Sequence, residues 1–343
     1  MTGANLPGLD LARLGQYLRH AEPMLAADSM TAELARGGRS NLTYFVTTSS
    51  GQEFVLRRPP LGHVQATAHD MGREYRVMSA LAPTDVAVPR TFHLCNDVEV
   101  LGAPFYLMER VIGEVIQTEK QTSALGTDSA RMISENVIDT LVALHACEPD
   151  QIGLSDFGRI EGFLERQVSR WSKQLEGSRS RDISGIDELL KKLSSRIPTT
   201  KRNSIVHGDF RLDNCIINAN DEVAAVVDWE MATLGDSFTD LGLFVVYWHG
   251  LSQIVGNPVA NGIKPEYGFP TAADLLQRYA TKSESELSQI EWYIAFGYFK
   301  LAVILEGIYL RFSQGQTVGS GFAEIGPLVE PLVSCGHRAL RGE

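Results

Sequence analysis

The chain has 343 residues, of which 31 are Lys or Arg and 42 are Asp or Glu, so its net charge is −11 at neutral pH. With 21% charged and 44% apolar residues, it has a globular composition and enough length for one large domain or two smaller ones. This acidic balance argues against a general nucleic-acid-binding protein, which needs a basic surface.

The cysteine spacing and the apolar pattern further narrow the class of protein and its expected compartment. The cysteines lie too far apart for a metal knuckle or a CxxC redox pair, and a reducing cytoplasm is the simplest compartment. The N-terminus has no basic-then-apolar signal pattern. The most apolar stretch, Trp292–Leu305, contains Lys300 and is too short to cross a bilayer, so we predict a buried helix and no membrane partner. The four cysteines are Cys95, Cys147, Cys215 and Cys335.

The first 110 residues mix strand and helix patterns. Residues 9–25 predict a short amphipathic helix, and apolar residues at helical spacing predict a second helix over His69–Leu81. Together with β-prone runs, these patterns predict a small sheet with one helix packed on it. The predicted strands are Thr43–Thr47, Glu53–Arg57, Val98–Leu101 and Phe105–Met108.

Helical patterns dominate after Gly113. Apolar residues from Ile133 to Leu144 follow one face of a long helix, and residues 161–176 and 185–196 predict two more. The change of class predicts an α+β fold with ligands bound in a cleft between two lobes. The short strand signals in this part are Ser204–His207, Cys215–Asn218 and Val223–Asp228. The predicted divisions are an N-terminal lobe over 1–108, a hinge over 109–113 and a helical C-terminal lobe over 114–343.

The strongest chemical motif is His-Gly-Asp at 207–209 with Asn214 five residues after the acid, followed by an apolar strand that ends at Asp228. This set suits phosphoryl transfer, which needs a base for the attacking hydroxyl and oxygen ligands for Mg²⁺. We predict Asp209 as the base, with Asn214 and Asp228 as metal ligands. The alternative is that these polar residues only cap a turn and end a strand.

The HGDxxxxN motif and the later apolar-apolar-Asp strand end resemble the aminoglycoside phosphotransferase family. The resemblance implies a two-lobed, protein-kinase-like α+β fold, with a small antiparallel-sheet N-lobe and a mainly helical C-lobe. It also implies ATP and Mg²⁺ as cofactors and a hydroxylated small molecule as the acceptor. The order of the motifs along the chain matches as well, which favours this interpretation over simple turn chemistry.

The resemblance assigns nucleotide contacts in the N-terminal part. The segment from residue 36 to residue 44 resembles the loop that covers the nucleotide, with a Gly-Gly hairpin turn as the alternative. Arg57 takes the place of the usual phosphate-binding Lys, and Glu74 is its expected partner on the next helix; a solvated Glu74 is the alternative. The loop residues expected near phosphates are Gly37, Gly38, Ser40 and Asn41.

Two further segments resemble parts of the same family. In the first, residues 105–113, Met108 would lie beside the purine, and backbone groups of Glu109 and Val111 would bind the adenine edge, while the choice between ATP and GTP stays open. In the second, residues 234–241, Asp240 would bond the backbone of the catalytic loop, or simply cap a helix. His207 is predicted to shape the same loop by packing and hydrogen bonding.

Longer matches resemble one branch, the kinase-like domain fused to acyl-CoA dehydrogenases. This likeness favours a hydroxylated metabolite as substrate, with a hydroxyacyl compound as one candidate, over an antibiotic. Residues 166–202 carry a charge of +6, which suits an anionic substrate, although a solvated helix face explains it too. A nucleotide-binding pseudokinase, suggested by Arg57, and an aminoglycoside kinase remain alternatives, and the oligomeric state stays open. The matching segments are GGRSNLTY, VLRRPP, FYLMERVIGEVI, IGLSDFG at 152–158, ERQVSRWSKQ at 165–174, HGDFRLDN and DWEMATLGD.

Overall fold

The computed structural model describes residues 6–35, 41–61, 70–200, 202–251, 254, 262–316 and 321–343. The chain divides into two compact units, one comprising Met1–Gly113 with Ala224–Ala232 and the other Glu114–Val223 with Thr233–Glu343. The chain thus leaves the first unit at Gly113, within the predicted 109–113 segment. Its return to that unit over nine residues was not predicted from the sequence.

The first unit contains an antiparallel sheet in the order β1-β2-β3-β5-β4. β2 and β3 include the predicted strands Thr43–Thr47 and Glu53–Arg57 and pair antiparallel, with Tyr44 opposite Leu56, and both of these side chains are buried. β1 lies at one edge of the sheet and was not predicted. The strands are β1 (Met30–Leu34), β2 (Leu42–Thr48), β3 (Glu53–Arg58), β4 (Thr91–Cys95) and β5 (Phe105–Glu109).

Helices of the first unit begin at acidic caps. The Asp10 carboxylate accepts the backbone N–H groups of Ala12 and Arg13 at the start of α1 (Leu11–Ala21). The Asp70 carboxylate accepts the Arg73 N–H at the start of α2 (Met71–Leu81). Such caps satisfy N–H groups that the helix itself leaves unpaired. His69, where the second helix was predicted to begin, lies outside the described residues.

The predicted strand over Val98–Leu101 is wrong, since these residues form the short helix α3. The Asp97 carboxylate caps it by accepting the Glu99 N–H, and Gly102 ends it at φ +81. The strand of this region lies earlier, in β4. Local capping therefore outweighed the strand propensity of the two valines.

The second unit is mainly helical, and its longest helix is α10. The 14-residue apolar stretch extends to 24 residues in the structure, long and apolar enough to cross a membrane by length and composition alone. However, 72% of its apolar window is buried inside the protein, as in a core helix. The helices are α4 (Glu119–Ala124), α5 (Thr127–Ala146), α6 (Phe163–Ser178), α7 (Ile186–Ser195), α8 (Phe238–Val245), α9 (Ala272–Ser283), α10 (Ile290–Ser313) and α11 (Val329–Ala339).

Short strands of the second unit present the motif residues. β7 pairs antiparallel with β10, and β6 pairs antiparallel with β8. The catalytic-loop motif follows β7 directly, and β8 begins one residue after Asn214. The strands of this unit are β6 (Glu114–Val115), β7 (Asn203–Val206), β8 (Cys215–Ile217) and β10 (Thr233–Asp236), while β9 (Val223–Val226) lies mostly in the segment that belongs to the first unit.

Candidate active site

The catalytic loop begins where the buried strand β7 ends. Ile205 and Val206 anchor it in the core, and the chain then turns at Gly208, whose φ of +86 lies in the left-handed region. Glycine adopts this conformation without the steric cost of a Cβ. The turn places Asp209 at the start of the loop with about a quarter of its side chain exposed (27%), so the carboxylate is accessible from solvent.

Asp240 on α8 fixes the backbone of this loop. Its carboxylate accepts the N–H of His207 at 2.6 Å and the N–H of Gly208 at 2.8 Å. Burial would raise the pKa of Asp240, but the hydrogen bond and charge of His145, with His207 and the Gly208 N–H, hold it below its usual value. Asp240 is therefore an ionised acceptor for the loop, while Ser237 occupies the N-cap position of α8.

Asn214 orients the carboxylate of Asp209. Its Nδ2 donates to the Asp209 carbonyl at 2.8 Å and to Asp209 Oδ2 at 3.2 Å. Because the amide N–H groups are used in this way, the Oδ1 carbonyl is the atom of Asn214 that can face a cation. His207 is fully buried, packs edge-on against Phe210, and lies with its Nδ1 3.3 Å from the Asp209 backbone nitrogen, which donates to it.

Arg211 and Tyr247 complete the surroundings of Asp209, and neither was singled out from the sequence. Arg211 Nε lies 3.7 Å from Asp209 Oδ2, and its guanidinium is 4.9 Å from the centre of the Tyr247 ring. Burial, reinforced by the charge of Asp209, raises the pKa of Tyr247 well above its usual value. Tyr247 is therefore a neutral neighbour of the carboxylate. The position of Arg211 two residues after Asp209 was the available signal.

In the first unit, Arg57 joins two acidic side chains. Its Nε lies 3.1 Å from Glu74 Oε2 and its Nη2 2.5 Å from Asp228 Oδ1. Burial opposes its charge, but Tyr106, Glu74 and Asp228 raise the pKa of Arg57 above the usual value. The guanidinium fork makes this double contact, which a single ammonium would make less directionally. Arg57 thus pairs with Glu74 and also with the predicted metal ligand.

Glu74 lies at the centre of a wider hydrogen-bond network. Tyr106 Oη donates to its Oε2 at 2.9 Å, and Asn41 Nδ2 donates to its Oε1 at 3.1 Å. Asn41 Nδ2 also donates to Glu230 Oε2 at 3.2 Å. Tyr106 and Glu230 were missed in the sequence, where Tyr106 resembles an ordinary strand residue. Asn41 was predicted to act through its backbone, whereas here its buried side chain bridges two acids.

Asp228 has an unusual backbone conformation. Its φ of +69 and ψ of +55 lie in the left-handed region, which costs a residue with a Cβ about 1 kcal/mol or more. The following turn holds it there, since Trp229 is fully buried and donates from Nε1 to the Val226 carbonyl. Arg73 Nη2 also donates to the Ala232 carbonyl. Asp228 keeps a third of its side chain exposed (34%), so solutes can reach it.

The segment predicted to bind the purine is partly engaged within the first unit. Met108 is buried opposite Val55 in the sheet. The Glu109 N–H donates to the Arg90 carbonyl at 2.8 Å, so of its backbone groups only the carbonyl could serve an adenine ring. Val111 is half-buried after β5. The predicted loop residues Gly37, Gly38 and Ser40 lie outside the described residues.

The donor atoms of Asn214 and Asp228 fit Mg²⁺. Both offer hard oxygens, and Mg²⁺ commonly takes one or two protein oxygens and completes its shell with phosphates and water. Over the part of the chain that the structure describes, no group of three His, Cys, Asp or Glu side chains could hold a metal by itself. Each of the two residues, taken by itself, therefore has a donor atom suitable for Mg²⁺.

A sequence model of the phosphotransferase enzyme family matches residues 31–275, which is more than half of the chain. The chain belongs to this family. Acyl-CoA dehydrogenase family member 10 of Mus musculus is 33% identical over 301 residues, which cover 86% of this chain and 28% of that protein. The chain spans less than half the length of this and the other leading curated relatives, members 11 of the same family from Gallus gallus and Mus musculus.

Solved structures agree with this membership. A candidate aminoglycoside phosphotransferase from Ralstonia eutropha JMP134 is 31% identical, with a TM-score of 0.83 and coverage of 96% of this chain and 98% of that one. A thermostable mutant of APH(4)-Ia, crystallised with ADP and hygromycin B, shares the fold at 12% identity and a TM-score of 0.62, with coverage of 95% and 98%.

These comparisons confirm the family, the kinase-like α+β fold and the branch related to acyl-CoA dehydrogenase members 10 and 11. They also confirm the enzyme class, a phosphotransferase with an alcohol group as acceptor. The roles of Asp209, Asn214, Asp228 and Arg57 in phosphoryl transfer stay predictions.

Proposed function

We propose that this phosphotransferase is an ATP- and Mg²⁺-dependent kinase that phosphorylates a hydroxyl group of a small metabolite. The observation that carries the proposal is the catalytic loop, where Asn214 orients the Asp209 carboxylate and Asp240 holds the backbone before it. A fixed carboxylate suits a base that orients a hydroxyl and accepts its proton. The ADP in the APH(4)-Ia structure supports an adenine nucleotide.

The residues of each unit have separate tasks in this proposal. Asp209 accepts the proton of the acceptor hydroxyl, and Asn214 Oδ1 and Asp228 would each offer an oxygen to Mg²⁺. When bound, Mg²⁺ neutralises charge on the phosphates. Arg57, held by Glu74, supplies a fixed positive charge for phosphate oxygens. A cation that takes Oδ1 of Asp228 would displace Nη2, which bonds that oxygen in the present arrangement.

A hydroxyacyl compound is the proposed acceptor class. The relatives of this branch are named acyl-CoA dehydrogenase family members, and a kinase domain fused to such an enzyme would act on a related acyl substrate. Charge supports an anionic acceptor, since Arg166, Arg170 and Lys173 line an open depression of about 690 Å³ on α6. A polycationic aminoglycoside would be repelled by this face.

The first experiment replaces the base. We expect Asp209→Asn to lower turnover about 100-fold to 10,000-fold, because the amide cannot accept the proton. Nucleotide binding, measured by titration calorimetry, should be unchanged. Asp139→Asn, which neutralises a carboxylate on α5 bonded to Arg278 and Lys282, is the control. Unchanged turnover in Asp209→Asn would remove Asp209 from this role.

The second experiment identifies the acceptor. Purified enzyme is given ATP and Mg²⁺ with hydroxyacyl thioesters, free hydroxy acids or aminoglycosides, and ADP release is measured against a sample without acceptor. We expect the hydroxyacyl compounds to give the largest increase. Preference for an aminoglycoside would establish the antibiotic kinase instead. Nucleotide binding without any turnover would establish the pseudokinase.

A further inference from the structure

Lys300 is the one charged residue within the apolar stretch Trp292–Leu305 of the core helix α10. Lysine is rarely buried unless its ammonium is paired, because removing the charge from water is costly. Burial lowers the pKa of Lys300, while the charges of Asp209 and Asp240 oppose that shift and Arg170 adds to it. A lysine kept at such a position calls for a specific contact.

That contact is with the catalytic loop. Lys300 Nζ donates to the Gly208 carbonyl at 2.6 Å and lies 5.5 Å from the centre of the Trp171 ring on α6. The Gly208 carbonyl belongs to the peptide group that links Gly208 to Asp209. The N–H at the other end of that peptide, from Asp209, donates to His207 Nδ1. The peptide plane directly before the proposed base is therefore held at both ends.

The bonds from Lys300 and to His207 hold a peptide group whose rotation the backbone itself restrains little. Gly208 has no Cβ and adopts a left-handed φ, so rotation of the peptide that follows it meets little steric resistance. Such a rotation would redirect the Asp209 side chain. Asp240 binds the N–H groups of His207 and Gly208, which fixes the chain before this peptide but leaves its carbonyl to Lys300.

We propose that Lys300 is a positioning residue, which fixes the Gly208–Asp209 peptide through the Gly208 carbonyl and so directs the Asp209 carboxylate toward the acceptor hydroxyl. This inference rests on the proposed function, because it requires Asp209 to be the base. Lys300 itself does not touch the reacting atoms. It acts through the orientation of its neighbour, where a small misplacement is sufficient to slow the reaction.

A purely structural role for Lys300 predicts a different relation between turnover and stability. If Lys300 served only packing, Lys300→Met would keep the volume and remove a partly buried charge, and turnover would follow stability. For a positioning residue, turnover changes independently of stability. We expect Lys300→Met to retain or raise the melting temperature, since apolar replacements of buried charges are often neutral or stabilising. Turnover should nevertheless fall.

The experiment measures ATP turnover with Mg²⁺ by coupled ADP release, in the whole protein. We expect Lys300→Met to lower kcat about tenfold or more with KM for ATP within about twofold of the wild type. Lys300→Arg, which keeps a cationic donor, should regain part of the loss. Lys282→Met, which removes a lysine bonded to Asp139, is the control and should leave kcat unchanged. A kcat for Lys300→Met within about twofold of the wild type overturns the proposal.

A double mutant separates this inference from the proposed function. If Lys300 works through Asp209, adding Lys300→Met to Asp209→Asn should change kcat by less than about twofold, because the group being positioned is already disabled. An undiminished loss in that background would overturn the positioning role. Full turnover in Asp209→Asn alone would instead overturn Asp209 as the base. An inactive Asp209→Asn with a normal Lys300→Met would remove only the role of Lys300.

Hydrogen exchange gives a measurement that does not depend on turnover. The Asp209 amide is protected by its bond to His207 in the clamped peptide. We expect this amide to exchange about tenfold faster in Lys300→Met than in the wild type or Lys282→Met. Unchanged exchange would show that the peptide is fixed without Lys300 and would overturn the proposal. Lys300→Arg serves the same measurement if the Met variant does not fold.

Discussion

The catalytic loop and the Arg57 cluster both contain buried charged side chains, but they hold them in different ways. In the loop, Asp240 and Lys300 bond to backbone N–H and carbonyl groups. Around Arg57, the side chains of Glu74 and Asp228 bond to the guanidinium itself. A charge that is bonded to backbone is fixed by the path of the chain, whereas a pair of side chains can exchange partners.

This difference indicates two kinds of preparation for catalysis. The loop holds Asp209 in place before any ligand arrives, and such preorganisation avoids a cost during the reaction. In the Arg57 cluster, the guanidinium bonds Oδ1 of Asp228, which we propose as a metal ligand. A cation at that oxygen would displace the guanidinium, while Glu74 with its partners Tyr106 and Asn41 would keep it nearby.

The largest effect should come from removing the backbone clamp. Asp240→Ala leaves the N–H groups of His207 and Gly208 without their acceptor and removes the carboxylate that faces Nε2 of His145, so we expect a loss of about 3 to 5 kcal/mol in the free energy of unfolding. Turnover should fall about 100-fold through misplacement of Asp209. Urea denaturation and the coupled assay measure these changes. Asp139→Ala, which removes partly exposed ion pairs to Arg278 and Lys282, should cost less, about 1 kcal/mol; equal losses in the two variants would contradict the clamp.

Removing the guanidinium from the Arg57 cluster should have a smaller effect that depends on pH. Arg57→Met leaves Glu74 buried without its ion pair, and we expect a loss of about 3 kcal/mol in unfolding free energy at about pH 8. Burial raises the pKa of Glu74, so this carboxyl takes a proton in the folded state more readily than in the unfolded state. Stability linked to Glu74 is therefore greater at low pH and falls as pH rises above its unfolded value of about 4.3.

Urea unfolding without metal at several pH values checks this dependence. The deficit of Arg57→Met relative to the wild type should shrink from about pH 8 to about pH 5. Glu74→Gln removes the titrating group, so the matched control compares the double variant Arg57→Met with Glu74→Gln against Glu74→Gln alone. The difference in unfolding free energy between these two variants should not change with pH. A deficit that grows toward acid would show that Glu74 is not the source.

A conservative substitution of Arg57 tests how this residue affects Asp228, the predicted metal ligand. Arg57→Lys keeps the charge near Glu74 but lacks the fork that reaches Asp228, so Asp228 becomes more available to a cation. We expect Mg²⁺, with nucleotide held constant, to bind a few-fold more tightly, about 1 kcal/mol or less, as measured by titration calorimetry. Asp139→Asn is the control for a change of surface charge. Weaker Mg²⁺ binding in Arg57→Lys would show that Arg57 supports the site instead of competing for it.

The sequence singled out the candidate reactive residues more readily than the side chains that support them. Asp209, Asn214 and Asp228 could be singled out because their residue types and spacing suit phosphoryl transfer. Lys300 and Tyr106 could not, since they reach the motif residues only through packing, across 92 and 32 positions of sequence respectively. Spacing along the chain carries no signal for such contacts. Glu230 lay beside a motif residue, but its bridge through Asn41 depends on the fold.

The fold was predicted where periodicity was long and missed where it was short. The helix over Ile133–Leu144 repeats its apolar face for three turns, and α5 confirms it. Val98–Leu101 offered only four residues, too few to separate the two periods. The cap at Asp97 and the glycine at 102 decided the outcome. The assignment of Ala224–Ala232 to the first unit could not be predicted from local sequence, because it depends on which unit packs against that segment.

The smallest expected effect tests that cap. Asp97→Ala removes the acceptor for the Glu99 N–H and should lower the free energy of unfolding by about 1 kcal/mol, measured by urea denaturation. Asp97→Asn, which retains an acceptor oxygen, should lose only a few tenths of that. Turnover should stay unchanged in both, because the carbonyl groups of α3 accept from Arg13 and Arg58, which lie outside the Arg57 cluster and the loop. A loss of turnover would mean that the position of Arg57 depends on the stability of the whole first unit and not on its own ion pairs. That result would weaken the contrast between the catalytic loop and the Arg57 cluster.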